Sequence, residues 1–440
     1  MRRHIEDKLQ VWYNSENKKP LIIKGARQVG KTYSIRDFAK KNYKYLVEIN
    51  FEKQLELSNL FGRTRNPKEI LDYLQLSYLD VPFDSNTLLF LDEIQACSHA
   101  LTALKFLAEE FPTDIICSGS VLGVAIATTT SFPVGYVETW EMNPLTFTEF
   151  LWALGIGEDW LTRINDTCKN LQPLNEPFHQ KMNEFFRNYV VIGGMPEVVK
   201  TFIQTKSYKE ALSVQRRIVQ DYTNDMAKYA SGSDRIKTRE CFESIPLQLA
   251  KENKKFQYKI VREGYNARYY ESSLRWLEES GLIIKVNRLN QVTEPLEANI
   301  ELAVFKVYMM DTGLLISQFN EGVVRDLLTG ELGIYKGAIY ESIVAQMLNV
   351  AGKRSFYYQP NNNAEIDFII YYEGHMTPVE VKSSGNTHSI SFSNFVKHYK
   401  PSKAFRISLK NIGKNDEGNI VYLPIYMLET LLANEHQIVE

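Results

Sequence analysis

The sequence predicts an α/β protein that begins with a mostly parallel sheet covered by helices on both faces. Three observations predict this fold. Short apolar runs alternate with amphipathic stretches between residues 21 and 141, a glycine-containing loop follows the first run, and two acidic residues follow the third. Because the ligand of such a sheet binds beyond the carboxyl ends of its strands, we expect a site at that edge.

The elements of this first part follow from the apolar runs and their spacing. The predicted strands are Leu21–Ile23, Tyr45–Ile49, Thr87–Leu91, Asp114–Cys117 and Val134–Trp140. The predicted helices between them are Lys31–Lys41, Pro67–Tyr78 and Ala100–Phe111. Together they predict a first domain over residues 1–150.

Three further regions are predicted after it. Helical patterns dominate residues 151–235, which indicates a helical subdomain. Residues 236–318 contain helices followed by two alternating runs, Leu282–Leu289 and Leu302–Met310, an order that suggests a winged helix. Residues 330–440 open with a helix at Lys336–Leu348. The strands predicted after that helix are Phe356–Tyr358, Glu365–Tyr371, Thr377–Ser383 and Ala404–Ser408.

Composition and charge restrict the class of protein. Hydrophobic residues make up 44% of the 440 residues and charged residues 24%, as in globular proteins that fold in water. The net charge of −2 gives no overall nucleic-acid signature, so a basic surface would have to be local. The four cysteines form no CxxC pair, and no apolar run approaches the ~18 residues of a membrane span. We therefore expect a cytoplasmic protein without a membrane partner.

A phosphate-binding loop is predicted between the first strand and the first helix of the sheet. Residues Gly25-Ala26-Arg27-Gln28-Val29-Gly30-Lys31-Thr32 fit the pattern GxxxxGK[ST]. In such a P-loop the backbone N–H groups face the phosphates, the lysine reaches the β- and γ-phosphates, and the hydroxyl binds Mg²⁺. We therefore predict that these eight residues bind ATP, with Lys31 also catalytic and Thr32 a ligand of Mg²⁺.

Acidic and hydroxyl residues at the ends of the next strands complete the predicted site. Asp92 follows a run of four apolar residues and would bind Mg²⁺, and Glu93 would polarise the attacking water. Ser118 ends the following strand, where its hydroxyl could sense the γ-phosphate. A tight turn around Gly119 is the alternative role for that segment.

These motifs and others along the chain resemble a bacterial and archaeal family of AAA+-like ATPases with a characteristic C-terminal region of unknown function. The matching segments are GARQVGKT, FLDEIQ, SGS, PLTFTEF, GGMPEVV, DYTNDMAKY, FKVYMMDTGLL, GAIYESIVAQML, EIDFII and VEVKSS. The resemblance implies an ATPase core, a helical part, a winged helix and a restriction-endonuclease-like domain. Members often carry a basic residue where this chain has Tyr136, so the resemblance implies no contact of an arginine with nucleotide or a neighbouring subunit at that position. The sequence is compatible with an oligomer.

A second group of polar residues lies in the last region. Glu380 and Lys382 share one face of an alternating strand, Asp367 lies in the preceding strand, and Glu341 lies on the opening helix. The group resembles the PD-(D/E)xK nuclease motif. In that reading Asp367 and Glu380 hold Mg²⁺ or Mn²⁺, Lys382 positions or deprotonates a water, and Glu341 completes the acidic group. The alternative is a solvated hairpin face with surface ion pairs.

The function predicted is ATP binding and hydrolysis, coupled to a C-terminal nuclease-like domain that acts on or binds nucleic acid. In one alternative the protein is an ATP-dependent regulator whose nuclease-like domain is only a binding module. In another it is a DNA-binding regulator that works through the winged helix. The sequence does not distinguish DNA from RNA as the partner.

Overall fold

The computed structural model describes residues 1–120, 132–229, 234–251, 253–329, 335–361, 364–383 and 390–436. The chain divides into two compact units. The first consists of Met1–Pro144 with Glu279–Leu282, and the second of Leu145–Glu278 with Ile283–Glu440. Among the helices so described, none has the length and apolar character that a membrane span needs.

The first unit contains a five-stranded sheet in which every neighbouring pair is parallel. Its strands are β1 (Leu21–Lys24), β2 (Tyr45–Asn50), β3 (Thr87–Asp92), β4 (Asp114–Gly119) and β5 (Glu138–Glu141). They lie in the order β2-β3-β4-β1-β5. All six residues of β3 are buried, because this strand lies inside the sheet with helices against both faces. The predicted parallel α/β class of this part is confirmed.

Five helices of the first unit are described. They are α1 (His4–Tyr13), α2 (Lys31–Asn42), α3 (Leu55–Arg63), α4 (Pro67–Ser77) and α5 (Ser98–Glu110). The sequence predicted α2, α4 and α5 to within two residues at each end. Residues of α3, α4 and α5 such as Phe61, Leu74 and Leu104 pack against Leu89 and Leu91 of β3 in one apolar cluster. Each such side chain contributes about 1.5–3 kcal/mol by leaving water, so the cluster fixes the strand ends that carry the site.

The fifth strand is shorter than predicted. The sequence predicts a strand that begins at Val134, whereas β5 begins at Glu138. The preceding residues form a turn in which the backbone N–H of Tyr136 donates to the carbonyl of Pro133 at 3.1 Å. Gly135 in that turn has a φ of 85°, which is incompatible with an extended strand. An apolar residue at 134 gave the false signal.

The second unit begins with a group of helices. They are α6 (Phe147–Ala153), α7 (Glu158–Asn170), α8 (Glu176–Ile192), α9 (Pro196–Thr205), α10 (Tyr208–Tyr229), α11 (Asp234–Leu249), α12 (Tyr258–Val261) and α13 (Ala267–Glu279). The helical patterns that the sequence shows at Tyr208–Tyr229 and Ala267–Glu279 predict the bounds of α10 and α13 correctly. The pattern at Lys181–Tyr189 predicted only the central part of α8, and α7 was not predicted. In α8 the side chain of Asn175 accepts a hydrogen bond from the N–H of Phe178 at 3.0 Å, which extends the helix toward its N-terminus.

The same unit contains a mixed sheet of eight strands in the order β12-β13-β11-β10-β9-β8-β6-β7. The strands are β6 (Ile283–Leu289), β7 (Ile300–Met309), β8 (Phe356–Asn361), β9 (Ala364–Tyr372), β10 (His375–Val381), β11 (Ala404–Ser408), β12 (Gly413–Lys414) and β13 (Ile420–Pro424). As predicted, β6 and β7 form an antiparallel hairpin. Strand β6 also pairs in parallel with β8, so the hairpin continues the C-terminal sheet. The sequence showed the pairing of the two runs but not the sheet to which they belong.

Five helices are described after the hairpin. They are α14 (Thr312–Ser317), α15 (Glu321–Thr329), α16 (Tyr335–Val350), α17 (Ile390–Tyr399) and α18 (Leu428–His436). Every residue of α16 from Ala338 to Leu348 is buried, because the helix contacts β6, β7, β10, α14 and α18. A charged side chain on this helix therefore lies inside the protein. Strand β10 ends at Val381, two residues before the predicted end, which leaves Lys382 just beyond it.

Candidate functional site

The P-loop connects β1 to α2 and has an unusual backbone. The φ angles of Gly25, Gln28 and Gly30 are 151°, 63° and 101°. A side chain at Gly25 would collide with the carbonyl oxygen of Met142, which follows β5. Glycine is therefore required at position 25 both for its conformation and for the close approach of two backbones. The loop places its N–H groups next to the N-terminus of α2, an arrangement that suits an anion.

The side chain of Lys31 lies folded along the P-loop. Its Nζ donates to the carbonyl oxygens of Gly25 and Ala26, each at 2.8 Å. The residue is buried, and this burial lowers the pKa of its ammonium group to about 8, against the opposing charges of Glu93 and Asp92. No carboxylate within ion-pair distance of its Nζ is found in the described residues, so an incoming anion would stabilise the charged form.

Asp92 lies at the end of β3 and accepts hydrogen bonds from three other elements. The hydroxyl of Thr32 on α2 donates at 3.3 Å, the amide of Asn50 on β2 donates at 3.0 Å, and the hydroxyl of Ser118 on β4 also donates to this carboxylate. The structure thus brings Thr32, Asp92 and Ser118 together, as the sequence analysis expected. These oxygen atoms are of the kind that Mg²⁺ prefers.

Asn50 is a contact that the sequence analysis missed. Strand β2 was predicted to end at Ile49, one residue too early, and the register of the sheet places Asn50 beside Asp92. A signal was present, because a polar residue directly after a strand that pairs with β3 must lie at the same edge as Asp92.

Glu93 occupies a separate group of polar side chains next to Asp92. It accepts hydrogen bonds from the amide of Gln95 and from the hydroxyl of Ser120, the latter at 3.3 Å. The guanidinium of Arg27 donates to the same Ser120 hydroxyl at 3.3 Å. Glu93 has a φ of 52°, and an αL conformation of a residue with a side chain is concentrated at functional sites. Thus Arg27 of the P-loop and Glu93 share one hydroxyl partner.

Arg3 also contacts the P-loop and was not identified from the sequence. Its side chain is buried and donates to the carbonyl of Val29 at 2.8 Å and to that of Asn143 at 2.6 Å. No motif contains this arginine, so no local signal could have identified it. By contrast, Tyr136 packs under the ammonium of Lys105, whose Nζ lies 5.2 Å from the ring centroid.

In the second unit, the predicted metal-binding and catalytic residues lie on one face of the eight-stranded sheet. The register of β9 and β10 pairs Phe368 with Val379, so Asp367 and Glu380 are the next opposed residues and point to the same face. Glu341 reaches this face from α16. Lys382 forms an ion pair with Glu380. The four residues that the sequence singled out are therefore close together.

The structure adds Glu365 to this group. One carboxylate oxygen each from Glu341, Glu365 and Asp367 lie within 4.8 Å of one another, a spacing that could hold a metal ion. We call Glu341, Glu365, Asp367 and Glu380 the acidic cluster. Glu365 lies two residues before Asp367 on the same strand, so strand periodicity could have identified it.

Burial and crowding set the charge of the acidic cluster. Burial, together with the carboxylates of Glu341 and Glu380, raises the pKa of Asp367 well above its usual range. Burial alone would also raise the pKa of Glu341, but the ammonium groups of Lys254 and Lys306 hold it below its usual value. Glu380 is only 2% exposed, and its Oε2 has no hydrogen-bond partner among the described residues. Such an atom is costly to bury unless a ligand meets it.

Comparison with protein families matches three segments of the chain. Residues 17–151 match the AAA domain, residues 183–322 match a domain of unknown function (DUF8612), and residues 336–428 match another (DUF4143). The chain therefore contains one segment that is similar to the AAA domain and two segments that are similar to domains of unknown function. No curated protein matches it.

Similar chains are also found among solved structures. The Walker-type ATPase PABY2304 of Pyrococcus abyssi shares 14% identity at a TM-score of 0.44, covering 74% of this chain and 95% of that one. The Aeropyrum pernix ORC1 protein, solved in complex with DNA, shares 11% identity at a TM-score of 0.30, covering 74% and 90%. Cdc6p of Pyrobaculum aerophilum shares 14% sequence identity at a TM-score of 0.27, covering 76% of this chain and 96% of that one. At these identities and scores the likeness carries no functional argument.

Proposed function

We propose that this protein binds Mg·ATP at the P-loop and hydrolyses it. The observation that carries the proposal is the meeting of Lys31, Thr32 and Asp92 at one edge of the sheet, with the Thr32 hydroxyl 3.3 Å from the Asp92 carboxylate. Thr32 and Asp92 would hold Mg²⁺, which when bound neutralises charge on the β- and γ-phosphates. The neutral donors around Asp92 support its role, because they orient an anionic carboxylate toward the loop.

The remaining groups have separate tasks in the proposed reaction. The Nζ of Lys31 would leave the carbonyls of Gly25 and Ala26 and donate to the phosphate oxygens. Backbone N–H groups of the P-loop would bind the other phosphate oxygens without cost of rearrangement. Glu93 would accept the proton of the attacking water, and Ser120 and Gln95 would hold its carboxylate in place.

ATP turnover of four single variants tests this proposal against the wild type. Lys31→Ala and Glu93→Gln should lose hydrolysis, whereas their controls Lys40→Ala on α2 and Glu110→Gln on α5 should keep it. Lys40 and Glu110 are exposed, so the controls remove the same charge from the same helix or its neighbour without touching the site. Equal turnover in Lys31→Ala and wild type would reject the proposal.

We further propose that the acidic cluster binds a divalent metal ion and acts on a phosphodiester of nucleic acid, with DNA as the first substrate to test. Asp367 and Glu380 would hold Mg²⁺ or Mn²⁺, whose positive charge polarises a phosphate oxygen when bound. The unpartnered Oε2 of Glu380 supports this, because it is a buried ligand atom without a partner. Burial would lower the pKa of Lys382, but Glu380 raises it above its usual value, so Lys382 would act as an ammonium that binds the phosphate.

A second candidate role follows from the lysines around Glu341. In this second role the C-terminal domain binds a partner but does not cleave it. Lys254 and Lys306 both pair with the carboxylate of Glu341, and such a buried ion network could serve only to support the fold of a binding module. Nicking of supercoiled plasmid with Mg²⁺ or Mn²⁺, measured with and without ATP, separates the two candidates. The nuclease requires cutting that is lost in Asp367→Ala and Lys382→Ala and kept in the exposed controls Asp416→Ala and Lys414→Ala. If the wild type and all four variants bind the plasmid without cutting it, the binding module is favoured.

A further inference from the structure

Lys306 lies within the acidic cluster although it belongs to β7, a strand of the predicted winged-helix hairpin. It is 1% exposed, and its Nζ lies 3.4 Å from Oε2 of Glu341. The same Nζ forms an ion pair with Oε1 of Glu365. A buried ammonium group is thus bound by two carboxylates that could otherwise bind a metal ion.

Other contacts close the same side of the cluster. Oε1 of Glu341 pairs with Lys254, and the hydroxyl of Tyr308 donates to Oε2 of Glu341 at 3.3 Å. Both oxygens of Glu341 are therefore engaged by donors from the protein itself. Tyr308 is buried and belongs to β7, as Lys306 does, so one strand supplies two of these donors.

The opposite side of the cluster is different. Glu380 has one oxygen paired with Lys382, while its buried Oε2 has no hydrogen-bond partner in the part of the chain that the structure describes. Asp367, opposite Glu380 across the strand pair, accepts the N–H of Val381 at 2.8 Å through its Oδ2. Ligand atoms are therefore available beside Asp367 and Glu380, and not beside Glu341.

We propose that Lys306 is a fixed cation that takes the place of a second metal ion, so that the acidic cluster binds one divalent ion on the side of Asp367 and Glu380. This inference rests on the metal-binding role proposed above. Metal-dependent sites that use two ions hold them about 3.5–4 Å apart between shared carboxylates. Here an ammonium group already lies between Glu341 and Glu365, and its charge would repel a second divalent ion. The C-terminal site would then cleave a phosphodiester with one ion and no more.

Counting bound Mn²⁺ tests the proposal. The experiment uses the full chain without nucleotide and with Asp92→Asn, so that the P-loop contributes no metal. Electron paramagnetic resonance of free Mn²⁺ should give one ion per chain, and none after Asp367→Asn. Lys306→Met, which keeps the length of the side chain but not its charge, should bind two ions. Lys306→Arg, which keeps the charge, should bind one.

A second variant keeps the proposal testable if Lys306→Met does not fold. Glu365→Gln should change the affinity for the single Mn²⁺ by less than threefold, because Glu365 pairs with Lys306 and not with the metal. A loss of tenfold or more would overturn the proposal, since it would make Glu365 a metal ligand. The proposal would also be overturned if the protein with Lys306 bound two Mn²⁺ ions, or if folded Lys306→Met bound only one. Either result would leave the proposed metal site itself intact. Absence of any bound Mn²⁺ would reject the proposed metal site and this inference together.

Discussion

The P-loop and the acidic cluster solve the problem of buried charge in different ways. Asp92 is surrounded by neutral donors from Thr32, Asn50 and Ser118, and Lys31 by backbone carbonyls. In the acidic cluster, by contrast, Glu341 and Glu365 pair with the ammonium groups of lysines. The P-loop therefore leaves its charges for a ligand to complete, whereas much of the acidic cluster is neutralised by the protein itself.

This difference predicts that substitutions at the two places affect different properties. Charged residues of the P-loop should matter for ligand binding and turnover more than for folding. Charged residues of the acidic cluster that pair with lysines should matter for folding, because removal of one partner leaves a buried charge uncompensated. Four experiments examine this distinction.

The largest effect is expected from Glu93→Gln. Loss of a general base lowers the rate of ATP turnover by about 10²–10⁴-fold. The free energy of unfolding should stay within about 0.5 kcal/mol of the wild-type value, because the amide can still accept from Ser120. Steady-state phosphate release and urea unfolding measure the two quantities. If Glu93→Gln were unfolded, charged residues near the P-loop would affect folding as those of the acidic cluster do, and the predicted difference between the two sites would be wrong.

A loss of stability of about 3–5 kcal/mol is expected from Lys306→Met, because Glu341 and Glu365 each lose a buried partner. Urea unfolding monitored by circular dichroism measures it, with exposed Lys259→Met on α12 as the control. Saturating Mn²⁺ should restore part of the loss if the vacated oxygens then bind metal. A change below 1 kcal/mol would show that Lys306 does not neutralise the cluster.

Gly25→Ala should destabilise the first unit by about 1–3 kcal/mol and also weaken nucleotide binding, since the new methyl group would collide with the carbonyl of Met142. Gly135→Ala is the matched control, because Gly135 also has a positive φ, but apart from its chain neighbours no atom of the described residues lies within 4 Å of the position of a Cβ. Thermal unfolding of the two variants separates collision from backbone strain. Equal losses would mean that the close approach of the P-loop to Met142 contributes nothing.

The smallest effect is expected from Lys31→Met, and its sign is opposite to that of Lys306→Met. Because burial lowers the pKa of Lys31 to about 8, the free protein below pH 8 bears the full cost of the buried charge. The variant should therefore be more stable at pH 7 by about 1 kcal/mol, because a charge cost of about 3 kcal/mol is partly offset by the two hydrogen bonds that Lys31 donates. The gain should disappear between pH 8 and about 10.5, where the wild-type lysine loses its proton only in the folded state. Urea unfolding of the wild type and of Lys31→Met at pH 7 and pH 9.5 measures this gain. A lower stability of Lys31→Met than of the wild type at pH 7 would contradict the contrast between Lys31 and Lys306.

The positions of the residues around the P-loop could be predicted because most of them are local in the sequence. Residues 25–32 are contiguous, and Asp92 and Glu93 follow a strand whose burial is visible as an apolar run. Parallel strands bring such ends to one edge, and the contacts that were missed include those of Asn50 and Arg3. Asn50 needed the register of β2 against β3, and Arg3 needed the tertiary position of the N-terminal segment.

The acidic cluster was predicted only in part because it is assembled from distant segments. Strand periodicity placed Asp367, Glu380 and Lys382, while Lys254 and Lys306 come from residues that were assigned to a separate domain. Nothing in the alternating pattern of β6 and β7 indicates that β6 pairs with β8. The balance of charge in the acidic cluster therefore became visible only with the order of the eight strands.

The central claim is that the loop from Gly25 to Thr32 binds a nucleoside triphosphate through Lys31. Titration calorimetry with Mg²⁺ and a non-hydrolysable ATP analogue tests it most directly. We predict one molecule bound per wild-type chain and no detectable binding by Lys31→Ala. Binding of equal strength by both proteins, or no uptake of the analogue by the wild type, would contradict the claim.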